Sequence, residues 1–183
     1  MTYLVVDFEA MCHAEAPPIP TEIGCCLIDE HGLVHNTPFF AELICPNEGE
    51  LTEYDTELTG ITPAMLAGAR NTETVFIELN AQCEALGDFR VIAHNAKFDR
   101  GIALRSREYL PRLLAHPWID TIHVAKRKLK LPSYALDPVA EALGIVIDGR
   151  RHRAFPDAHL TARAFALLQS LPDRSAVQTQ LPL

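Results

Sequence analysis

The sequence predicts an α/β domain in which a mixed β-sheet is flanked by helices. The first part of the chain has strand patterns separated by a turn, and the later part alternates strand and helix patterns. This order predicts a sheet that is antiparallel at first and then parallel. The 183 residues, 48% of them hydrophobic, suffice for one domain with a substantial core.

The first three strands are predicted from short apolar runs. Residues 3–8 (YLVVDF) and 22–29 (EIGCCLID) are two such runs, and residues 33–45 continue after the turn at Gly32. A glycine-containing turn between short runs is typical of an antiparallel hairpin. Pro38 has no backbone N–H, so it predicts an edge position or a bulge in the third strand.

The remaining elements alternate between helix and strand. Thr62 and Pro63 are typical of a helix start, and the apolar positions of residues 72–86 recur at helical spacing. Further strands are predicted at 89–94 and 117–120, and further helices at about 98–109, 121–129, 134–143 and 157–168. Gly144 is typical of the residue that ends a helix.

Composition restricts the class of protein. No apolar run approaches the roughly 20 residues that span a bilayer, and the N-terminus lacks a signal-peptide pattern, so we expect a cytoplasmic protein without membrane contact. Five cysteines without CxxC spacing favour reduced, buried side chains over disulfides or a zinc site. We expect one domain over residues 1–171 and a loose tail over 172–183, where periodicity is lost.

The net charge of −8 is unusual for a protein that binds nucleic acid, because phosphates attract basic surfaces. Basic residues are nevertheless concentrated in two places, which predicts weak, local attraction of phosphate. A solvated helix face is an equally good explanation of the second group. The first group surrounds His152 and the second is a short run: Arg150, Arg151 and Arg153, then Lys126, Arg127, Lys128 and Lys130.

Two carboxylates, Asp7 and Glu9, end the first apolar run. Side chains two apart on a strand point to the same side, so both can bind one hard cation through oxygen. Taken alone, a strand that simply ends in charged residues is the more common explanation of this pair.

Three further polar residues follow predicted element boundaries. Asp99 comes just after the strand 89–94, at the carboxyl end where sites of open α/β sheets form; an alternative role is to bind free N–H groups of a helix start. Pro156 predicts the start of the last helix, so Asp157 lies in its first turn and His152 in the preceding loop. Histidine commonly takes a proton from water, although a lone surface histidine is the simpler explanation.

Four carboxylates in one place repel one another unless cations bind them. Two metal ions about 3.5–4 Å apart can bind both the attacking and the leaving oxygen of a phosphodiester. The four carboxylates therefore predict a site for two Mg²⁺ or Mn²⁺ ions, and His152 is the predicted base that deprotonates water.

Three motifs make the sequence resemble the DnaQ-like, or DEDDh, 3′–5′ exonucleases of the ribonuclease H-like superfamily. They are DFE at 7–9, HNAKFD at 94–99 and HRAFPD at 152–157, and the resemblance extends from Tyr3 to about Leu168. The resemblance implies a ribonuclease H-like, mixed five-stranded sheet flanked by helices, with the first three strands antiparallel and the others parallel.

The resemblance also implies how metal ions are held. One ion is expected to bind Asp7, Glu9 and Asp157. The other is expected to bind mainly Asp7, with Asp99 close by, often through water. His152 occupies the position of the catalytic base in the third motif.

Five substrate contacts follow from the same resemblance. Ile61, in LTGIT, resembles the residue that wedges against the terminal nucleotide, and Phe8 and Ala10 are expected near the terminal sugar or base. Asn95 is expected to contact substrate near the second metal, and His94 beside it is included among the substrate contacts. For Ile61 and Phe8, packing in the core is an equally good explanation.

The implied activity is release of nucleoside 5′-monophosphates from single-stranded 3′ ends. DFEA, with Ala10 in place of a common threonine, resembles RNA-trimming relatives, whereas AHNAKFDR resembles bacterial proofreading and repair enzymes. DNA is favoured over RNA, and an exoribonuclease is the alternative. A ribonuclease H-like endonuclease and a non-catalytic nucleic-acid-binding module of the same fold are further alternatives.

Two partner predictions concern assembly. Several relatives dimerise, so a homodimer is one expectation. The last residues, which include Gln180, Leu181 and Leu183, resemble a truncated sliding-clamp-binding peptide, and a disordered tail is the alternative explanation.

Overall fold

The computed structural model describes residues 1–12, 16–147 and 151–174. Its strands are β1 (Thr2–Met11), β2 (Ile19–Ile28), β3 (Phe40–Cys45), β4 (Arg70–Asn71), β5 (Phe89–Ala93) and β6 (Trp118–Asp120). Its helices are α1 (Glu53–Thr59), α2 (Pro63–Ala67), α3 (Thr72–Leu86), α4 (Ala96–Arg105), α5 (Pro111–Ala115), α6 (Thr121–Lys128), α7 (Leu136–Ala142) and α8 (Ala154–Ser170). The sequence did not predict α1, α5 or β4.

The strands form a sheet in the order β4-β3-β2-β1-β5-β6. β1 pairs antiparallel with β2, and β2 with β3, whereas β1–β5, β5–β6 and β3–β4 are parallel. The predicted mixed sheet is therefore confirmed. It has six strands rather than five because the two-residue strand β4 adds to the outer edge of β3.

Strand β1 lies in the middle of the sheet and has helices on both faces. Leu4 and Val6 belong to a core cluster with α3, α4 and α5, and Val5 belongs to a second cluster with α6, α7 and α8. Because side chains alternate along a strand, Asp7 and Glu9 share the Val5 face and point towards α8. The register of β1 thus decides which helix faces the two carboxylates.

Several predicted boundaries shift for identifiable reasons. The third strand begins at Phe40 rather than near residue 33, because Pro38 cannot donate a ladder hydrogen bond and only an isolated bridge, Ile28 to Val34, precedes it. Helix α8 begins at Ala154 rather than near Asp157, and Pro156 lies within its first turn as expected. Gly144 follows α7 with a positive φ of 70°, as expected of a helix-ending glycine.

The cysteines agree with the compositional prediction only in part. All five are free, but Cys12 is exposed and Cys45 is half-buried rather than buried. The neighbours Cys25 and Cys26 are buried in the two different core clusters on opposite sheet faces. Within residues 1–12, 16–147 and 151–174, no helix has the length and apolarity needed to cross a bilayer.

Candidate active site

The site begins where β1 extends past its parallel neighbour. Pairing between β1 and β5 ends at Val5 opposite Ile92, so the later backbone groups of β1 have no strand partner on that side. Asp99, in the first turn of α4, fills this place: its Oδ1 accepts a hydrogen bond from the Phe8 N–H at 3.0 Å. Asp99 is 2% exposed, so it is a buried carboxylate beside Asp7.

The third motif approaches β1 from the opposite side. Asp157 lies in the first turn of α8, and its Oδ2 accepts a hydrogen bond from the His152 N–H at 3.2 Å. His152 has a left-handed φ of 59°, which is uncommon for residues other than glycine, although histidine, asparagine and aspartate adopt it more often than the rest. Ligand atoms of Glu9, His152 and Asp157 all lie within 4.8 Å of one another, so the first and third motifs meet.

Close packing of α8 on β2 brings these motifs together. Gly24 pairs with Asp7 across the sheet, and a Cβ atom added to Gly24 would lie 2.1 Å from the backbone nitrogen of Phe155. Only glycine therefore fits at this position, because real Cβ atoms do not approach backbone that closely. A lone glycine inside a predicted strand is a known signal for close backbone approach, but its role was not predicted from the sequence.

An ion pair that sequence reasoning missed fixes the same loop. Glu22, which pairs with Glu9 in the sheet register, is a buried carboxylate at 8% exposure. Arg153 donates to it from Nε at 2.9 Å and from Nη2 at 2.6 Å, and the Ala154 N–H donates to it at 2.9 Å. Glu22 thus joins β2 to the first residues of α8.

The carboxylates of the cluster are difficult to ionise in the absence of a cation. Burial, then the charges of Asp99 and Glu9, raises the pKa of Asp7 well above its usual range. Burial, then the charge of Glu22, raises the pKa of Glu9 to about 7. Burial raises the pKa of Asp99 to about 7, although the Phe8 N–H opposes this rise. Desolvated oxygen ligands that repel one another are suited to a divalent cation, whose charge favours their ionised form.

Arginine side chains next to His152 bind carboxylates in this structure. Arg151 contacts Asp157, and its Nε lies 2.5 Å from Asp137 Oδ1. Its charge also lowers the pKa values of Asp7 and Glu9, against the larger effect of burial. Of the three arginines noted in the sequence, Arg150 lies outside the described residues.

A cavity of about 730 Å³ opens beside the cluster. Its lining combines Asp7, His152 and Asp157 with the β5–α4 junction and the segments around α6 and α7. The residues of these segments include His94, Asn95, Lys126, Ser133, Tyr134 and Asp137. The site therefore has room for more than a metal cluster.

Comparison with known proteins identifies the family of this chain. The sequence model of the exonuclease family (RNase_T) matches residues 4–165. The chain belongs to the DnaQ-like, DEDDh exonuclease family. The family predicted from the three motifs, with its ribonuclease H-like fold, is thus confirmed.

Relatives of this exonuclease include much longer proteins. The DNA polymerase III PolC-type protein of Thermotoga maritima is 37% identical over 165 residues, which is 90% of this chain and 12% of that protein. The chain thus spans about one eighth of the length of the curated relatives that it matches first.

Two solved structures share the fold of this exonuclease. The nuclease domain of 3′hExo, a DEDDh family member bound to rAMP, has a TM-score of 0.78 at 24% identity, covering 94% of each chain. Exonuclease I of E. coli in complex with a dT13 oligonucleotide has a TM-score of 0.73 at 16% identity, covering 97% of this chain and 42% of that one.

Two of the predicted substrate contacts have buried side chains in this exonuclease. Phe8 is 4% exposed, and its ring packs edge-on against Phe76 with a centroid distance of 5.8 Å. Ile61 is fully buried. Ala10 is half-buried and follows Glu9 at a bulge in the β1–β2 ladder. Core packing accounts for the positions of the first two side chains, and substrate contact by all three stays a prediction.

Asn95 and His94 both line the cavity, but in different ways. Asn95 is exposed, has a left-handed φ of 68°, and donates its N–H to Asp120 Oδ1 at 3.3 Å. His94 uses both ring nitrogens inside the protein: Nδ1 lies 2.8 Å from Thr121 Oγ1, and Nε2 lies 3.0 Å from the carbonyl oxygen of Tyr134.

The hydrogen-bond partners of His94 determine which of its ring nitrogens carries the proton. A carbonyl oxygen can only accept, so Nε2 carries the proton, and the Thr121 hydroxyl donates to Nδ1. Burial lowers the pKa of His94, which favours this neutral form. Through its hydrogen bond to the Tyr134 carbonyl, His94 fixes the segment around Tyr134, which lines the cavity.

Proposed function

We propose that the chain is a metal-dependent 3′–5′ exonuclease that hydrolyses phosphodiesters at the 3′ ends of single-stranded nucleic acid. The products are nucleoside 5′-monophosphates. The observation that supports this most directly is that ligand atoms of Glu9, His152 and Asp157 lie close together, and that Asp7, His152 and Asp157 line one open cavity. A cavity closed around these residues would not admit a polymer end.

Two Mg²⁺ or Mn²⁺ ions fit the carboxylates. Asp7, Glu9 and Asp157 would hold one ion, and Asp7 with Asp99 would hold the other. The raised pKa values of Asp7, Glu9 and Asp99 support this assignment, because each carboxylate is buried among like charges. When bound, such ions stabilise the negative charge that develops on the phosphate oxygens.

His152 is the base in this proposal. Its side chain is exposed and reaches the cavity from a loop, while its own N–H is held by Asp157. An imidazole at this position can take the proton of the attacking water as the water oxygen bonds to phosphorus and the bond from phosphorus to the 3′-oxygen of the remaining strand breaks. The phosphate then leaves on the 5′-oxygen of the terminal nucleoside, and the freed 3′-oxygen takes a proton from solvent. The hydrogen bond from the His152 N–H to Asp157 keeps the base next to a proposed metal ligand. The imidazole and the Asp157 carboxylate can therefore act on the same phosphate.

The proposed substrate is single-stranded, and DNA is favoured over RNA. The similarity to PolC-type DNA polymerases supports DNA, and the fold shared with an exonuclease bound to dT13 supports a single strand. The fold shared with 3′hExo bound to rAMP keeps an RNA-trimming activity as the alternative. Recognition through phosphate and metal contacts would be independent of base sequence.

A time course on 5′-labelled single-stranded DNA and matched RNA tests the proposal. With Mg²⁺ or Mn²⁺, we expect a ladder that shortens from the 3′ end, and EDTA should abolish it. Asp7→Ala should remove the activity, and His152→Ala should lower kcat by about 10²–10⁴-fold. Asp88→Ala is the matched control, because the Asp88 side chain is 99% exposed and outside the cavity.

Other results would favour other functions. Cleavage of circular single-stranded DNA would indicate an endonuclease. Binding of either polymer without cleavage in any metal would indicate the non-catalytic binding module. Whichever polymer is cleaved faster, DNA or RNA, identifies the sugar that the enzyme prefers.

A further inference from the structure

The basic run at the C-terminal end of α6, which comprises Lys126, Arg127, Lys128 and Lys130, is divided between different environments. Lys128 Nζ binds Asp173 Oδ1 at 2.9 Å and the carbonyl oxygen of Leu171 at 2.5 Å. Arg127 Nε lies 4.0 Å from the same carboxylate. Lys126 instead lines the cavity that holds Asp7 and His152. The run is therefore not a uniform solvated face, and one of its charges belongs to the active-site cavity.

Tyr134 fixes the position of Lys126. The ammonium nitrogen of Lys126 lies 5.7 Å from the centroid of the Tyr134 ring, within cation–π range. The tyrosine is itself held at three points: its hydroxyl donates to Leu129 O at 2.9 Å and accepts from the Leu131 N–H at 3.3 Å, and its carbonyl accepts from His94. The hydroxyl is thus occupied, and the ring serves as a platform for the lysine.

Lys126 has no carboxylate partner within the described parts of the chain, although the cavity is rich in acid. Asp137, an acidic residue that lines the same cavity as Lys126, binds Arg151 instead. An exposed ammonium group that is oriented by a ring and has no counter-ion is available to an anion. In an exonuclease, the anion that enters this cavity is a substrate phosphate.

We propose that Lys126, positioned by Tyr134, binds the phosphate on the 5′ side of the scissile one. This inference rests on the proposed exonuclease function. The carboxylates take the scissile phosphate, so a positive group elsewhere in the lining of the same cavity is available to the next phosphate of the strand. Lys126 thereby makes the site select polynucleotides over mononucleotide esters, which carry one phosphate only.

The test compares two substrates that differ in this second phosphate: a single-stranded oligothymidylate and the p-nitrophenyl ester of thymidine 5′-monophosphate. For Lys126→Ala, we expect KM for the oligonucleotide to rise about 10-fold with kcat unchanged, because a contact made equally in ground and transition state is lost. The slope of log(kcat/KM) against log salt should fall by about 0.7, the value for one phosphate contact on a single strand. Hydrolysis of the ester should be unchanged.

Lys130→Ala is the matched control, since Lys130 belongs to the same run and is exposed outside the cavity. It should behave as wild type on both substrates. Equal losses on both substrates for Lys126→Ala, or no loss on either, would overturn the assignment. If the wild type hydrolyses neither substrate, the proposed function fails. Fluorescence anisotropy of the labelled oligonucleotide with wild type and Lys126→Ala then decides the phosphate contact without catalysis.

Discussion

Glu22 and Arg153 form a two-point ion pair directly behind the loop that carries His152. The two arginine nitrogens lie 2.6 Å and 2.9 Å from the two carboxylate oxygens of Glu22. Arg153 follows His152 in sequence, and Glu22 lies opposite Glu9 in the sheet. The pair therefore links the predicted base to the strand beside the predicted metal ligands, although neither partner is a candidate ligand.

Arg153→Ala should lower activity and stability together. A buried Glu22 left without its partner costs on the order of 1–3 kcal/mol, at the low end for buried pairs because Arg153 is partly exposed. Arg153 also lowers the pKa of Glu9, so its loss should move the acid limb of the activity profile to higher pH. Thermal unfolding and a pH profile of kcat measure the two effects.

Two further variants separate positioning from general stability. Arg163→Ala is the control within α8, whose N-cap is Arg153. Among the described residues Arg163 binds the Val146 carbonyl, and it lies outside the cavity, so this variant should keep the wild-type pH profile. Arg153→Lys keeps the positive charge but cannot make both hydrogen bonds to Glu22. Compared with Arg153→Ala, it should therefore bring the pH profile back towards wild type more fully than it brings back kcat. An unchanged pH profile in Arg153→Ala would contradict the link to Glu9.

Gly24→Ala should disrupt the site from the neighbouring strand. The added Cβ would lie 2.1 Å from the Phe155 nitrogen, so α8 must move away from β2 and carry Asp157 with it. Because the clash is with backbone, we expect destabilisation of at least about 1–3 kcal/mol and weaker Mg²⁺ binding, measured by denaturant unfolding and calorimetry. Gly101→Ala is the control: its added Cβ meets only the Arg105 side chain at 3.7 Å. Normal Mg²⁺ affinity in Gly24→Ala would contradict this packing.

His94→Leu should loosen the segment around Tyr134 that lines the cavity. The substitution removes the donor to the Tyr134 carbonyl, which costs about 1–3 kcal/mol for a buried polar group left unsatisfied. The Thr121 hydroxyl loses His94 but still has the Ala93 carbonyl oxygen as an acceptor at 3.3 Å. Hydrogen exchange at the Ser133, Tyr134 and Ala135 amides should quicken, while the backbone near Asp157 keeps its protection. Equal loss of protection in both places would indicate global destabilisation instead.

The sequence predicted the fold where apolar runs were long. The buried centre of β1 and the spacing of α3 were unambiguous, because burial on a fixed period leaves a pattern in the chain. Short elements were not predicted from the sequence. For example, β4 has two residues, and its strand character comes only from pairing with Ile44 and Cys45. α1 has a capping box of Thr52 and Asp55, a local signal that was present and not used.

The sequence predicted candidate ligands for the site, but not the contacts that position them. Asp7, Glu9 and His152 belong to short motifs, so their types and spacing were visible in the sequence. The pairing of Glu22 with Arg153 joins residues 131 positions apart, and only the sheet register and the approach of α8 create it. Contacts of this kind leave no local pattern.

Proton release should accompany metal binding. The folded protein raises the pKa values of Glu9 and Asp99 to about 7, while unfolded carboxyl groups ionise near 4. Between these values the folded state holds more protons, so without metal the stability contributed by these groups is full below about pH 4 and is lost as pH rises to about 7. A bound Mg²⁺ must displace the same protons, so its affinity should rise over this window and level off above it.

Thermal unfolding of wild type with EDTA and with Mg²⁺, from about pH 5 to 8, measures this linkage. The increase in Tm caused by Mg²⁺ should be small at the acidic end and grow towards neutral pH. Glu9→Gln removes one of the titrating ligands, so it should reduce both the Mg²⁺ effect and its dependence on pH, and subtracting its curve removes the contribution of carboxylates elsewhere. An equal rise in Tm at both ends of the range would show that Mg²⁺ binds without displacing protons, and thus away from Glu9 and Asp99.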